Sequence, residues 1–255
     1  MTRLMNFPAV IFALSFLVLW LSGRIGTSFR NRRHKLEDIA STDASLILAS
    51  TLTLLGLIIG FTFSMATSRY EQRKTYEEAE ANAIGTEYVR ADLLPAVDAQ
   101  KIRALLTTYT NQRILFYTAR DGQQLRRVNA DTAQLQNQLW STVAGAVGPR
   151  PTPLAALVAS GMNDVLNSQG YTQAAWWNRI PVSAWALMIT ISICCNLLIG
   201  YSIPRTREES VVFLVMTAVV SISFFLIADI DSPRGGVIRV RPQNLVSLSQ
   251  SFRPQ

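Results

Sequence analysis

Charged residues are scarce in this chain, and four long stretches contain none at all. Of its 255 residues, 16% are charged, whereas about 25% is usual for soluble domains. The uncharged, mainly apolar stretches are residues 4–23, 44–67, 182–203 and 210–228. Each is long enough to cross a hydrocarbon core of ~30 Å as a helix. The scarcity of charge excludes a soluble globular protein and predicts an all-α integral membrane protein with four transmembrane helices.

Cysteine and histidine are nearly missing as well. His34 is the sole histidine, and the only cysteines, Cys194 and Cys195, are neighbours inside the third apolar stretch. The sequence has no cluster of His, Cys, Asp and Glu at metal-ligand spacing. It has no phosphate-binding loop, no nucleophile elbow and no dinucleotide-binding glycine motif. We therefore expect no enzyme activity, no bound metal and no cofactor.

The apolar stretches divide the chain into four segments. We predict a first transmembrane helix pair with a basic connecting loop (1–67), a helical extramembrane domain (68–180), a second transmembrane hairpin (181–228) and a polar tail (229–255). Residues 68–94 contain no proline and a single glycine, so the second transmembrane helix is expected to continue as a stalk to Pro95. The tail is expected to lie on another surface or to be partly disordered.

Three further helices are predicted within the extramembrane domain. Asp98 is expected to cap the first, the second follows a turn at Asp121 and Gly122, and the third spans about residues 154–167.

Two groups of side chains in this domain are expected to meet water. Acidic residues are predicted to form a solvated face of the stalk: Glu77, Glu78 and Glu80. Aromatic residues before the third transmembrane helix are predicted to form a belt at the membrane interface: Tyr171, Trp176 and Trp177.

Basic residues exceed acidic ones by seven, a balance that also occurs in nucleic-acid-binding proteins. Here they flank the apolar stretches: Arg30, Arg32, Arg33 and Lys35 follow the first, and Arg205 and Arg207 lie between the third and fourth. Such residues set membrane topology and contact anionic lipid. We therefore expect membrane lipid, not nucleic acid, as a partner. The same rule places residues 24–43 in the cytoplasm and the extramembrane domain outside it.

The second apolar stretch carries small and hydroxyl-bearing residues at helical spacing. They share one face of a helix and form what we call the polar stripe: Ser50, Thr53, Gly56, Gly60, Ser64 and Thr67. Small residues spaced by four positions are typical of close helix contacts in lipid. Hydroxyls along one face also suit a water-filled path in an oligomer. The two interpretations are compatible, and both stay open here.

Charged residues gather where the second and fourth apolar stretches end. Arg69 and Arg73 follow the second stretch, and Asp229, Asp231 and Arg234 follow the fourth. Acidic residues at a membrane boundary need partners or water. One of the two aspartates is therefore predicted to pair with one of the first two arginines, and simple interfacial anchoring is the alternative.

Three segments of the chain resemble a known family. They are LLGLIIGFTFSMATSRYEQRK (54–74), EANAIGTEYVRADLLP (80–95) and FLIADIDSPRGGVIRV (225–240). They resemble the signatures of the bacterial DUF4239 family, whose members are described as bestrophin-like domain membrane proteins. The resemblance extends over nearly the whole chain.

This resemblance implies likeness to bestrophins, which are pentameric anion channels with four membrane helices per subunit. It implies a homo-oligomer, with a pentamer suspected, in the bacterial inner membrane, and a pore lined by the polar stripe. Bestrophins have an apolar neck, for which the candidates in this chain are Ile58, Ile59, Phe61 and Phe63. They place their large domain in the cytoplasm, opposite to the charge-based expectation, so orientation stays open. Bestrophins also have a calcium clasp that needs an acidic cluster after the fourth helix. Asp229 and Asp231 match it only weakly, so no metal is assigned.

The sequence therefore predicts an oligomeric membrane protein that acts as an ion channel or pore. The alternative is a non-conducting scaffold or sensor whose helical domain binds a partner.

Overall fold

Helices make up nearly all of the computed structural model, which describes residues 7–33, 41–149, 151–202 and 207–252. In chain order they are α1 (Pro8–Arg33), α2 (Ser41–Arg90), α3 (Ala96–Thr118), α4 (Gly122–Val147), α5 (Pro153–Trp177), α6 (Val182–Ser202), α7 (Arg207–Asp231) and α8 (Gln243–Ser251). A short 3-10 turn, Ala91–Leu93, follows α2. No strand occurs within these ranges. The predicted all-α class is confirmed.

The chain forms two compact units. The first unit comprises Met1–Ser68 and Arg179–Ile238, and the second comprises Arg69–Asn178 and Arg239–Gln255. Helix α2 therefore supplies its apolar part to the first unit and its charged part to the second.

Within the described ranges, four helical stretches are long and apolar enough to cross a membrane. They lie within Pro8–Arg30, Leu46–Leu93, Pro153–Ser202 and Ser210–Asp231. The second and third of these ranges exceed the ~20 residues that a bilayer core requires. Charged side chains recur along α2 from Arg69 onward and are costly in hydrocarbon. The membrane-spanning part of α2 therefore ends near Thr67.

In the first unit, α1 packs against α6 and α7, and glycines mark the closest approach. A Cβ atom added at Gly200 would collide with the backbone of Gly23, and one added at Gly26 would collide with the carbonyl of Leu197. Helices in lipid meet most closely where side chains are smallest, since apolar burial gives them no advantage there. The intrasubunit contact between small residues thus lies between α1 and α6.

Polar side chains join α6 to α7 inside the first unit. The Thr217 hydroxyl donates to the Asn196 side-chain carbonyl at 3.1 Å, and the Asn196 amide donates to the Ser192 carbonyl at 2.9 Å. All three residues are buried. An amide without a hydrogen-bond partner raises the free energy of a helix packed in hydrocarbon, so these bonds favour one register between the two helices.

The second unit has an apolar core drawn from helices distant in sequence. Large buried members include Ile102, Leu106, Phe116, Leu139 and Met162. Helix α3 packs against α4 and α8, and α4 packs against α5.

The extramembrane helices differ from the sequence expectations in two places. Pro95, not Asp98, is the N-cap of α3, and Asp98 lies in its first turn. Helix α5 continues through Gly170 to Trp177, well beyond the expected end near residue 167, because no proline interrupts it. The turn expected at Asp121 and Gly122 precedes α4, and Asp121 caps that helix by accepting a hydrogen bond from the Gln124 backbone N–H.

The predicted aromatic belt is wrong for one of its members. Tyr171 and Trp177 are exposed, but Trp176 is buried in the core of the second unit. Its ring packs edge-on against Phe116, with 5.0 Å between centroids, and against Tyr117. Trp176 follows the buried Thr172 by one helical turn, so it lies on the buried face of α5.

The tail also has more structure than its composition indicates. It carries α8, whose Leu245 is fully buried, and the Phe252 ring stacks on Tyr88 with 4.0 Å between centroids. A few apolar side chains with a matching surface are enough to order an otherwise polar segment.

We expect Gly200→Ala to destabilise the protein by about 1–3 kcal/mol, because the added methyl meets backbone that cannot move aside. Gly170→Ala is the matched control, since open space surrounds that position in α5. The control should be neutral or stabilising by up to about 1 kcal/mol through helix propensity. Thermal unfolding of the two purified variants in detergent measures both. Equal melting temperatures would contradict the tight α1–α6 contact.

Candidate functional site

The polar stripe lies on the outer face of α2 in the single chain. All six of its residues are exposed: Ser50, Thr53, Gly56, Gly60, Ser64 and Thr67. The opposite face carries the buried residues of this segment, Leu55, Thr62 and Ala66. Of the four apolar windows, the one in α2 is the least covered by its own chain, with 11% buried against 33% in α7.

The glycines of the stripe have open space around them. A Cβ atom at Gly56 or Gly60 would meet nothing within 4 Å, in contrast to Gly26 and Gly200. The stripe therefore makes no contact of this kind within the subunit. The part of the chain that the structure describes leaves this face of α2 uncovered at both glycines.

The stripe hydroxyls are satisfied within the helix and still face outward. Ser50 and Thr53 donate to the carbonyls four residues earlier, each at 2.9 Å, and Thr67 does so at 3.1 Å. Such bonds satisfy the donor where no water is present, and the oxygen keeps lone pairs free to accept. The stripe can therefore face either a neighbouring helix or water.

The neck candidates divide into two pairs. Phe61 and Phe63 are exposed by 64% and 42%. They lie at the two edges of the stripe, each roughly 80° from its centre at 100° per residue. Ile58 and Ile59 are half-buried and face inward. Leu57, which sequence reasoning did not single out, is 52% exposed and lies within the stripe itself. Leu57 follows Thr53 by four residues, a spacing that could have placed it on the stripe from the sequence.

The two aspartates of the boundary cluster hold different loops: Asp229 the one after α7, and Asp231 the one before α6. Asp229 accepts hydrogen bonds from the backbone N–H groups of Val237 at 2.7 Å and Ile238 at 2.8 Å. Asp231 accepts from the Ile180 N–H at 3.1 Å. Both aspartates are buried. A Cβ at Gly236 would collide with the Asp229 carbonyl, so glycine lets this loop turn tightly.

The arginines of the cluster contact the end of α5 within the second unit. Arg69 donates to the Asn178 side chain, and the buried Arg73 donates to the carbonyls of Ala175 and Asn178, each at 3.3 Å. A cation is favourable at a helix C-terminus, where carbonyls lack partners. Arg234 is half-buried. The predicted pairing of these arginines with Asp229 or Asp231 stays a prediction.

A buried ion pair lies at the centre of the second unit, where the sequence indicated a solvated acidic face. Glu80 and Arg113 are both fully buried and form a salt bridge. Tyr117 and Thr172 donate hydroxyl hydrogen bonds to Glu80 Oε2 at 3.2 and 3.1 Å. The carboxylate thus joins α2, α3 and α5.

The electrostatics of this network keep its hydroxyls protonated. Burial raises the pKa of Tyr117, and the Glu80 carboxylate raises it further. Tyr109 behaves in the same way. Burial by itself lowers the pKa of Arg113, but Glu80 and Tyr109 outweigh it and the pKa is raised. The guanidinium therefore stays charged.

Glu77, also expected to be solvated, caps the tail helix instead. It accepts from the Asn244 side-chain amide at 2.6 Å and from the Leu245 backbone N–H at 3.0 Å. A carboxylate at a helix N-terminus satisfies free N–H groups and matches the helix dipole. Only Glu78 of the acidic run is exposed. No local sequence signal distinguishes these three glutamates, since their partners lie on other helices.

Among the described residues, no three His, Cys, Asp or Glu side chains lie together in a way that could hold a metal ion. The expectation of no cofactor stays a prediction.

Fold and site together define an all-α integral membrane protein with a polar face exposed on its second transmembrane helix. The sequence matches the family model of the Bestrophin-like domain over residues 9–245. The chain therefore belongs to the Bestrophin-like domain family. No curated protein matches it.

Solved structures of bacterial bestrophin homologues have the same fold. A Klebsiella pneumoniae homologue with a tyrosine-to-alanine mutation has a TM-score of 0.70 at 13% identity, covering 94% of this chain and 96% of that chain. A homologue with a tryptophan-to-alanine mutation gives 0.69 at 13%, covering 94% and 93%. A third structure from Klebsiella pneumoniae, determined by Zn-SAD phasing, gives 0.66 at 12%, covering 95% and 94%.

Arg113→Met should destabilise the protein by about 3–5 kcal/mol, because it leaves the Glu80 carboxylate buried without its cation. The double variant Glu80→Gln with Arg113→Met should cost less than this single change. Arg103→Met is the control: it removes an exposed pair with Asp92, worth about 1 kcal/mol or less, and one hydrogen bond to the Tyr88 carbonyl, worth roughly 1 kcal/mol, so it should cost less than Arg113→Met. Denaturant unfolding compares the three. A double variant less stable than Arg113→Met would contradict this account of the ion pair.

Proposed function

We propose that this protein forms a homo-oligomeric ion channel in which the second transmembrane helices surround the conducting path. The polar stripe faces that path, and the channel favours anions, as the family resemblance implies. The protein acts by conduction and not as an enzyme. The proposed location is a bacterial inner membrane.

One observation carries the proposal: the stripe is exposed on the face of α2 that points away from the buried residues of the same segment. Hydroxyl oxygens and bare backbone at glycine are poor partners for lipid tails, which offer no hydrogen bonds. A face of this kind is expected to meet water or another helix. A ring of copies supplies both, with water at its axis and neighbours at the flanks.

The large side chains beside the stripe fit the same arrangement. Leu57 within the stripe and Phe61 at its edge are exposed large apolar residues on this face. In a ring of copies they would form an apolar constriction, and such constrictions gate channels by excluding water. A pentamer is the proposed assembly, on the family resemblance alone.

The second candidate is a non-conducting scaffold in which the stripe packs against a neighbouring copy. The open space at Gly56 and Gly60 supports this candidate, because small residues spaced by four positions suit close helix contacts. The two candidates differ in whether water reaches the hydroxyls.

Thr53→Val should lower anion flux several-fold in liposomes, because it removes an outward hydroxyl while keeping the shape of the side chain. Thr51→Val is the matched control. Thr51 lies on a different face of α2 from the stripe and is partly buried. Its hydroxyl makes the same kind of hydrogen bond, to the Ile47 carbonyl at 2.6 Å. The control should conduct like the unmodified protein. Flux equal to that of empty vesicles for the intact unmodified oligomer would overturn the channel proposal.

The variant Gly60→Leu distinguishes a channel, in which the stripe faces water, from a scaffold, in which the stripe packs against a neighbouring helix. The subunit has room for the new side chain, so its fold should survive in both cases. In a channel, crosslinking should show the oligomer intact while flux falls several-fold. In a packed scaffold, the oligomer should dissociate instead, because the bulky side chain separates the helices.

The orientation expected from charge is tested by cysteine labelling. Ser28 and Gln123 are exposed and lie in the first and second units, respectively. In a background lacking Cys194 and Cys195, Ser28→Cys should react with an impermeant thiol reagent only after the cells are opened. Gln123→Cys should react in intact spheroplasts. The reverse pattern would place the helical domain in the cytoplasm.

A further inference from the structure

Near the end of α2, outside the apolar segment, one carboxyl group is buried with no partner. Glu87 has 0% relative exposure, and neither carboxyl oxygen has a hydrogen-bond partner. Buried polar groups are nearly always hydrogen-bonded, so an orphaned carboxyl requires a physical reason. The fully buried Glu80, seven residues earlier, has three hydrogen-bonding partners.

The carboxyl lies directly against the backbone of α5. A Cβ atom added at Gly161 would collide with Glu87 Oε2 and with Arg90 Nη1. Gly161 is itself buried. The absence of a side chain at this position therefore creates the space in which Glu87 lies, and the two helices meet there.

Two charged groups act on this carboxyl, one from each helix. Arg90 is on α2, one turn after Glu87, and Asp164 is on α5, one turn after Gly161. The pKa of Glu87 is raised from 4.5 to about 8: burial raises it most, Arg90 lowers it, and Asp164 raises it. Asp164 is exposed and Arg90 is partly exposed, so neither charge compensates for the lost hydration.

We propose that Glu87 is a proton-binding site in the contact between α2 and α5, neutral when buried, and that its ionisation weakens this contact. A neutral carboxyl can occupy an unpartnered position at much lower cost than a carboxylate, which must regain water or a cation. On losing its proton, the side chain is driven from its place on Gly161 toward solvent. The proposal does not depend on ion conduction.

The direction of the pH effect follows from proton linkage. The folded protein holds this proton up to about pH 8, whereas the unfolded chain releases it near pH 4.5. The contribution of this group to stability is complete below the unfolded value and declines as pH rises between the two values. Over that window the unfolding equilibrium constant rises by up to about tenfold per pH unit relative to Glu87→Gln, which has no proton to lose.

The direct test is pH-difference infrared spectroscopy of the full-length protein in detergent. The unmodified protein should lose a protonated-carboxyl C=O band with a midpoint near pH 8. Glu87→Gln should lack that transition. A band that persists in Glu87→Gln, or a Glu87 transition near the ordinary value for a carboxyl group, would overturn the proposal.

Charge variants at exposed or partly exposed positions keep the test decisive even if Glu87→Gln folds poorly. Asp164→Asn should move the midpoint to lower pH, and Arg90→Gln should move it to higher pH, since each removes one of the two charges. Arg90→Lys keeps the charge and is the matched control, with little expected shift. Midpoints unchanged in both charge-removing variants would overturn the assignment to Glu87.

The consequence for the helix contact has a separate readout. Hydrogen exchange of α5, corrected for intrinsic rates, should accelerate between pH 7 and pH 9 in the unmodified protein and not in Glu87→Gln. Gly161→Ala should displace the flexible Glu87 side chain toward water and move the infrared midpoint toward the ordinary carboxyl value. Equal exchange in both proteins at pH 9 would show that ionisation leaves the contact intact and would overturn that part of the proposal.

Discussion

Helices in a hydrocarbon core gain no hydrophobic energy by meeting one another, so side-chain size and polar contacts decide which faces pack. Both outcomes occur in this chain. The glycines of α1 and α6 bring two backbones into direct contact within the subunit. Among the described residues, by contrast, nothing lies within 4 Å of a Cβ atom added at Gly56 or Gly60 of α2. The first set builds the subunit, and the second remains available to whatever lies outside it.

The second unit is organised by buried charge. The carboxylates of Glu77 and Glu80 each connect α2 to other helices, through α8 in one case and through α3 and α5 in the other. Each is buried together with donors that replace its hydration. Glu87 has no such donors. Three glutamates of one helix are thus all buried, but two have hydrogen-bond donors on other helices and the third has none.

The Bestrophin-like family and the shared fold agree with an exposed polar face on the second transmembrane helix. That face is what a conducting oligomer would require, because each copy must present water-compatible groups on the side away from its own packing. Asp229 fixes the loop after α7, since its carboxylate accepts hydrogen bonds from two consecutive backbone N–H groups. Within the first unit, the buried residues of α2 and its exposed polar stripe therefore lie on different faces of that helix.

The helical class, the four apolar segments, the polar stripe and the family could be predicted from the amino-acid sequence, because they depend on composition, spacing and local pattern. The turn before α4 and the break before α5 were also predictable, since Asp, Gly and Pro act locally there. The burial of Glu77 and Glu80, the position of Trp176 in the core, the docked helix of the tail and the outward direction of the stripe are evident only in the folded chain. Burial of a side chain depends on partners far away in sequence, which no local periodicity records.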